Sequence, residues 1–197
     1  MKFLPLAAAA LGFAALSGCV APVGPVQVTR FHAPEFASLS RGTVAVEPAP
    51  GTDGKSLEWQ TYRLAVQRQL ALLGYAEAAA GQGGQIAQMR VSRSLSDPAR
   101  KSGPVSVGVG GSTGSYGSGL GLGLGFNLGG GSGQQMQTEL GVVIKDRVSA
   151  RTLWEGRASF SVDAKSPLAS TDLAAAKMAE ALFEGFPGQS GETIEVK

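Results

Sequence analysis

Cysteine and histidine are nearly missing from this chain: Cys19 and His32 are the sole examples in 197 residues. One cysteine excludes an internal disulfide, and one of each excludes the usual zinc-binding sets. Charged residues make up only 16% and nearly cancel, leaving a formal net charge of +2. That balance argues against a nucleic-acid partner, which requires a strong basic field. No apolar run reaches the roughly 20 residues that a membrane-spanning helix needs. Glycine, by contrast, is in excess: its 29 residues are about twice the ordinary share of roughly 7%. Hydrophobic residues at 43% suffice for one core, and the length fits one domain with appendages.

Lys2 carries a positive charge, and Phe3 to Leu16 is then apolar and mostly small. This run has the character of a signal-peptide h-region. It ends in Leu16-Ser17-Gly18-Cys19, which resembles the lipobox of bacterial lipoproteins. Ser17 and Gly18 are small enough for the chain to enter a peptidase site in extended form. Cys19 supplies a thiol for a thioether to diacylglycerol, and cleavage before it frees an amine for a further N-acyl chain. Two or three chains anchor stably, at about 0.8 kcal/mol per buried CH₂. The expectation is a signal peptide over 1–18, an acylated tether over 19–25 and attachment to the bacterial envelope, with no other cofactor. In the sorting rule for such proteins Asp after the cysteine means inner-membrane retention. Val20 therefore favours the outer membrane, with the chain on its periplasmic face.

The mature chain alternates between two periodicities. Val26–His32 and Thr43–Glu47 have the β-branched content and spacing of short strands. From Ser56 to Leu73, Trp59, Tyr62, Val66, Leu70 and Leu73 recur on one helical stripe, with Ser56 as N-cap and Gly74 as stop. Gln85–Leu95, Met136–Asp146 and Thr152–Asp163 alternate as half-buried strands, the last two joined as an antiparallel hairpin. A second helix is expected from about Ser170 to Glu184, with Ala174, Met178, Ala181 and Leu182 on its stripe. Together these predict an α+β domain over 26–187: a mainly antiparallel sheet with two amphipathic helices on one face. Residues 188–197 read as a C-terminal tail.

Within that domain, 103–133 differs in kind, with 14 glycines in 31 residues. Val105, Val107 and Val109 alternate with Ser and Gly, and Leu120, Leu122, Leu124, Phe126 and Leu128 alternate with Gly and Asn. Strict period two predicts a Gly-rich hairpin insert with its bulk on one face. Three uses fit that pattern. The hairpin extends the sheet; or it enters a membrane as one part of a ring of protomers; or it binds a protein partner or a second copy by strand addition. It holds no phosphate-cradling glycine signature and no lysine.

Catalytic patterns are scarce. His32 has Glu35 nearby, but no nucleophile at a recognisable elbow accompanies them, so His32 reads as structural. Glu58, Glu155, Asp163 and Asp172 are scattered acids whose meeting in space the sequence does not dictate. Arg90, Arg93, Arg100 and Lys101 cluster beside the insert and read either as contacts to an anionic surface or as a charged strand edge. Trp59 and Trp154 fall on apolar stripes and read as core.

In order and content these segments resemble the bacterial lipoproteins called domain of unknown function 4136. The resemblance rests on the lipobox, the strand Val26–His32, the helix end Leu70-Ala-Leu-Leu-Gly-Tyr75 and the strand containing Met89-Arg-Val-Ser. It continues in Leu153-Trp-Glu-Gly-Arg157 and Leu182-Phe-Glu-Gly-Phe-Pro187. It implies a lipid-anchored envelope protein and carries no catalytic residue. The expected function is non-enzymatic binding or scaffolding in the envelope. The alternatives are a subunit of an oligomeric export or assembly machine and, third, a hydrolase of envelope polymers.

Overall fold

The computed structural model describes residues 24–38, 41–96 and 134–197. Period-two segments become strands β1 (Val26–His32), β2 (Thr43–Pro48), β4 (Gln85–Ser96), β5 (Gln135–Asp146) and β6 (Thr152–Asp163). Two short strands join them, β3 (Ala76–Glu77) and β7 (Thr193–Val196). The sheet order is β3-β2-β4-β5-β6-β1-β7. Helices α1 (Leu57–Leu72) and α2 (Thr171–Phe183) pack against each other and the sheet. The fold is α+β and dominated by its sheet.

The sheet is mixed. β4, β5, β6, β1 and β7 pair antiparallel in succession, with β6 joining β5 to β1, whereas β2 runs parallel to both β3 and β4. A parallel pair cannot be closed by a tight turn, and α1 is the crossover that carries the chain from β2 to β4. Strand periodicity does not report the direction of a partner, so the parallel placement of β2 in an otherwise antiparallel sheet is not legible in the sequence. The segment expected as a tail is also part of the fold: Thr193–Val196 pairs with β1 as an edge strand.

Ser56 caps α1, its hydroxyl accepting the Trp59 N–H at 3.2 Å. The other end closes as the glycine rule requires. Gly74 has φ of +90°, its N–H reaches Ala71 O, and the Tyr75 N–H reaches Leu70 O. This double closure satisfies orphan carbonyls of the last turn. The buried residues of α1 are Trp59, Tyr62, Val66 and Leu70. They meet the core face of the sheet, where Met89, Leu140, Val142 and Ile144 are fully buried.

β5 and β6 are joined at 147–151, where Asp146 Oδ1 accepts the Ser149 N–H and hydroxyl. These bonds hold the Asp146 carboxyl below the usual range. The register slips by one residue between Ile144 and Lys145, so Leu153 is the extra residue of a bulge. Trp154 then faces the core, fully buried. Its indole lies across Gly156: a Cβ there would sit 2.2 Å from the ring and 2.8 Å from Leu182.

Gly156→Ala is therefore expected to destabilise the domain by about 1–3 kcal/mol, the usual range for overpacking. Chemical denaturation of the two proteins checks it.

Candidate functional site

Two places gather functional groups. The first is a shallow cavity of about 350 Å³ between the β2–α1 loop and β4, lined among others by Asp53, Ser56, Glu58 and Arg90. Four of its polar residues already have partners. Asp53 Oδ1 accepts the Lys55 N–H, Ser56 caps α1, and Glu58 accepts from Arg93 at 3.1 Å. Arg90 reaches Glu139 at 3.5 Å across the strands.

The second lies at the opposite end of the helices, where β1 finishes. Phe36, Tyr75, Trp154, Phe183 and Phe186 form one connected aromatic group. Trp154 stacks on Phe183 at 5.4 Å, and Phe186 contacts Phe36, Trp154 and Phe183 at 5.1–5.8 Å. The Arg41 guanidinium lies over Phe36, Tyr75 and Phe186 at 5.0–5.8 Å. Burial pushes the Tyr75 hydroxyl above its ordinary pKa, against the opposing charge and hydrogen bond of Arg41.

Arg30 lies next to this group. It follows Val26 and Val28 on the core face of β1 and is only 4% exposed. Its cross-strand neighbour is Gly156. Nε donates to Leu182 O and Nη2 to Ala181 O, both at 3.0 Å. These carbonyls belong to the last turn of α2, where partners are missing and positive charge is favoured. Burial lowers the Arg30 pKa, while Glu184 and Glu192 pull it up. Gly188, at φ +81°, packs against the arginine stem; a Cβ there would fall 2.9 Å from Cδ. His32 closes the arrangement, with Nδ1 facing Ala33 O at 3.0 Å and Nε2 facing Gly188 O at 3.2 Å. Trp154 donates to Pro187 O at 3.1 Å.

Of the four basic candidates, Arg90 and Arg93 are among the described residues, and these two do not sit together. Arg90 and Arg93 have opposite parity on β4 and so face opposite sides of the sheet. Arg90 is on the open face with Glu139, whereas Arg93 turns toward the helices. Arg93 donates to Glu58 at the start of α1, to the Thr171 hydroxyl at 2.6 Å, and to Ala169 O beside the start of α2. Buried near it, Tyr62 Oη and Thr138 Oγ1 have no hydrogen-bonding partner, and burial pushes the Tyr62 hydroxyl up to about 12. Arg100, Lys101, Cys19 and the insert residues Val105, Val107, Val109, Leu120, Leu122, Leu124 and Phe126 lie outside the described residues.

Glu58, Asp163 and Asp172 lie toward the end of the sheet at which both helices begin, and Glu155 lies apart within β6. Glu58 pairs with Arg93, Glu155 with Arg157 on the open face, and Asp163 accepts the Lys165 N–H. Glu35 pairs with Arg151. Among the described residues no three His, Asp or Glu side chains gather as a metal site. Glu47 accepts from Arg147 at 2.7 Å and from the Gly81 N–H at 2.9 Å. Burial alone would raise its pKa, but these two donors outweigh it and hold the carboxyl below its ordinary value.

Sequence reading missed Arg30 and Arg41. Arg30 had left a signal, a charge at a core-parity position of an apolar strand. Arg41 had none, because its three aromatic neighbours come from separate segments.

Among the described residues the fold is thus an α+β sheet of seven strands with its helices on one side. No family model matches the chain. A stretch of 63 residues is 35% identical to an uncharacterized protein of Zymomonas mobilis, covering 32% of this chain and 24% of that protein. The match therefore spans about a quarter of that relative's length. A PDZ domain protein from Parabacteroides distasonis superposes with a TM-score of 0.52 at 8% identity, over 88% of this chain and 39% of that one. That likeness is one of fold. PelC from Paraburkholderia phytofirmans, solved as a dodecamer, aligns at a TM-score of 0.40 and 13% identity, over 80% of this chain and 97% of that one.

Arg30→Met should remove about 3 kcal/mol of stability, since two charge-assisted bonds are lost and two buried carbonyls are left unpaired. Arg30→Lys should recover less than half, because an ammonium lacks the two-pronged geometry. Urea unfolding at neutral pH measures both. The Glu47 contribution has a definite sign. A carboxyl whose folded pKa is depressed stabilises fully above its unfolded pKa, and this is lost as pH falls through the folded value. The stability gap between the native chain and Glu47→Gln should accordingly shrink as pH drops from about 7 to about 3.

Proposed function

We propose that this chain is a lipid-anchored protein of the bacterial envelope with a binding or scaffolding role, held in the outer membrane through acyl chains on Cys19. The carrying observation is Leu16-Ser17-Gly18-Cys19 directly after an apolar run of signal-peptide length. The same reading groups the chain with the lipoproteins of domain of unknown function 4136 and has it face the periplasm.

What flanks the Gly-rich insert supports reading it as a hairpin. Ser96 at the end of β4 pairs with Gln135 at the start of β5. The intervening segment therefore leaves and re-enters on neighbouring antiparallel strands, as a hairpin insert must. In this reading its alternating residues continue the two strands beyond the sheet and offer a surface to a protein partner or a second copy.

Expression in a bacterial host with a labelled fatty acid tests the anchor. The native chain is expected to incorporate label and sediment with membranes, whereas Cys19→Ser should lose both. Incorporation by the Cys19→Ser chain, or none by the native chain, would overturn the reading. The mass of the detergent-solubilised protein separates the roles: a monomer or small complex fits scaffolding, and a ring-sized assembly fits a machine subunit instead.

A further inference from the structure

We infer that the end of the sheet formed by Ser96, Gln135 and Asp163 is the face this domain turns toward the lipid bilayer, with the aromatic end directed away from it. This rests on the acyl anchor at Cys19 proposed above and adds the orientation of the domain and the surface that meets lipid.

Gln135 pairs with both Ser96 and Asp163, so those three residues share one end of the sheet. β1 runs antiparallel to β6 with Gln27 opposite Ser159 and His32 opposite Trp154. The start of β1 therefore points to that same end, and Gly24 lies beside Ser161. From Cys19 to Val26 the chain spans at most about 25 Å in any conformation. Val26 lies about 10 Å along the strands from the Asp163 row. His32 lies about 20 Å from Val26, toward the opposite end.

Chemistry at this end provides an independent observation. Leu57, Leu95 and Leu173 are exposed by 86%, 58% and 49%. Leu57 adjoins Glu58, Leu173 is two residues past Thr171, and Leu95 is two residues past Arg93 on the same strand face. Arg93 bonds both Glu58 and Thr171. Arg93 thus ties together the starts of α1 and α2 and the last residues of β4, the three segments that carry these exposed leucines. Exposed apolar groups facing a bilayer are stabilised by insertion at the interface. Other exposed apolar residues are spread singly: Val148 is in the turn at the far end, Phe31 on β1, and Leu64 and Leu72 along α1. Nearby charges are mixed, Glu58 and Asp172 against Lys165, so the surface suits the lipid interface without needing anionic headgroups.

The test uses the acylated full-length protein reconstituted into phosphatidylcholine vesicles containing brominated lipid. Acylation occupies the native thiol, so an engineered cysteine becomes the unique labelling site. A fluorophore is placed by Leu95→Cys, Leu173→Cys or, at the far end, Val148→Cys. β5, with 12 residues, separates the two ends by about 40 Å. Probes at 95 and 173 should lose most of their emission to the bromolipid, and the probe at 148 should lose none. Equal quenching at all three, quenching confined to 148, or none at any site would overturn the orientation. Hydrogen exchange of the unlabelled protein supplies a second readout. Binding to vesicles should slow exchange at 93–96 and 171–173 and leave 147–151 unchanged; the reverse pattern would overturn it equally. Intact mass separates the two readings. A protein without acyl chains removes the anchor and this inference together, whereas an acylated protein with the wrong quenching pattern removes only the orientation.

Discussion

The contact of the Trp154 indole with the bare backbone of Gly156 organises one whole end of this domain. A side chain at 156 would meet the ring at 2.2 Å, so glycine is what lets the indole lie against its own strand. From there the ring stacks on Phe183, touches Phe186 and donates to Pro187 O. The absence of a side chain at 156 also leaves room opposite Arg30, whose guanidinium satisfies the last carbonyls of α2. A helix end, two strands and the segment leading to β7 are therefore fixed by one local choice of residue.

This explains why three distant segments have the residues they do. Leu70 to Tyr75 is a helix closure that delivers Tyr75 against Phe186. Trp154-Glu-Gly156 is the indole and its seat. Phe183 to Pro187 turns the chain back over the strand. Far apart in sequence, they meet in a single aromatic group whose visible work is packing. Burial of aromatic rings and satisfaction of buried carbonyls account for them.

The two ends of the domain differ accordingly. Aromatic packing, Arg30 and Arg41 close the end at which the helices finish. The other end is held by Arg93, which ties the beginnings of both helices to β4. It is also where the flanks of the glycine-rich insert and the start of β1 converge.

Much of the fold was legible in the sequence because burial imposes period on local residues. Alternation in Gln85–Leu95, Met136–Asp146 and Thr152–Asp163 and the stripe through Trp59, Tyr62, Val66 and Leu70 each became the expected element. Ser56 and Gly74 marked the ends of α1, since capping depends on neighbours a few residues away. Direction and partnership were decided only by tertiary structure. The parallel placement of β2, the recruitment of 193–196 as an edge strand, and the separation of Arg90 from Arg93 all depend on long-range register. So does the role of Arg30, whose acceptors lie more than 150 residues away. Local sequence sets which residues hide from water, but which surfaces hide them is settled by the packing of the whole sheet against its two helices.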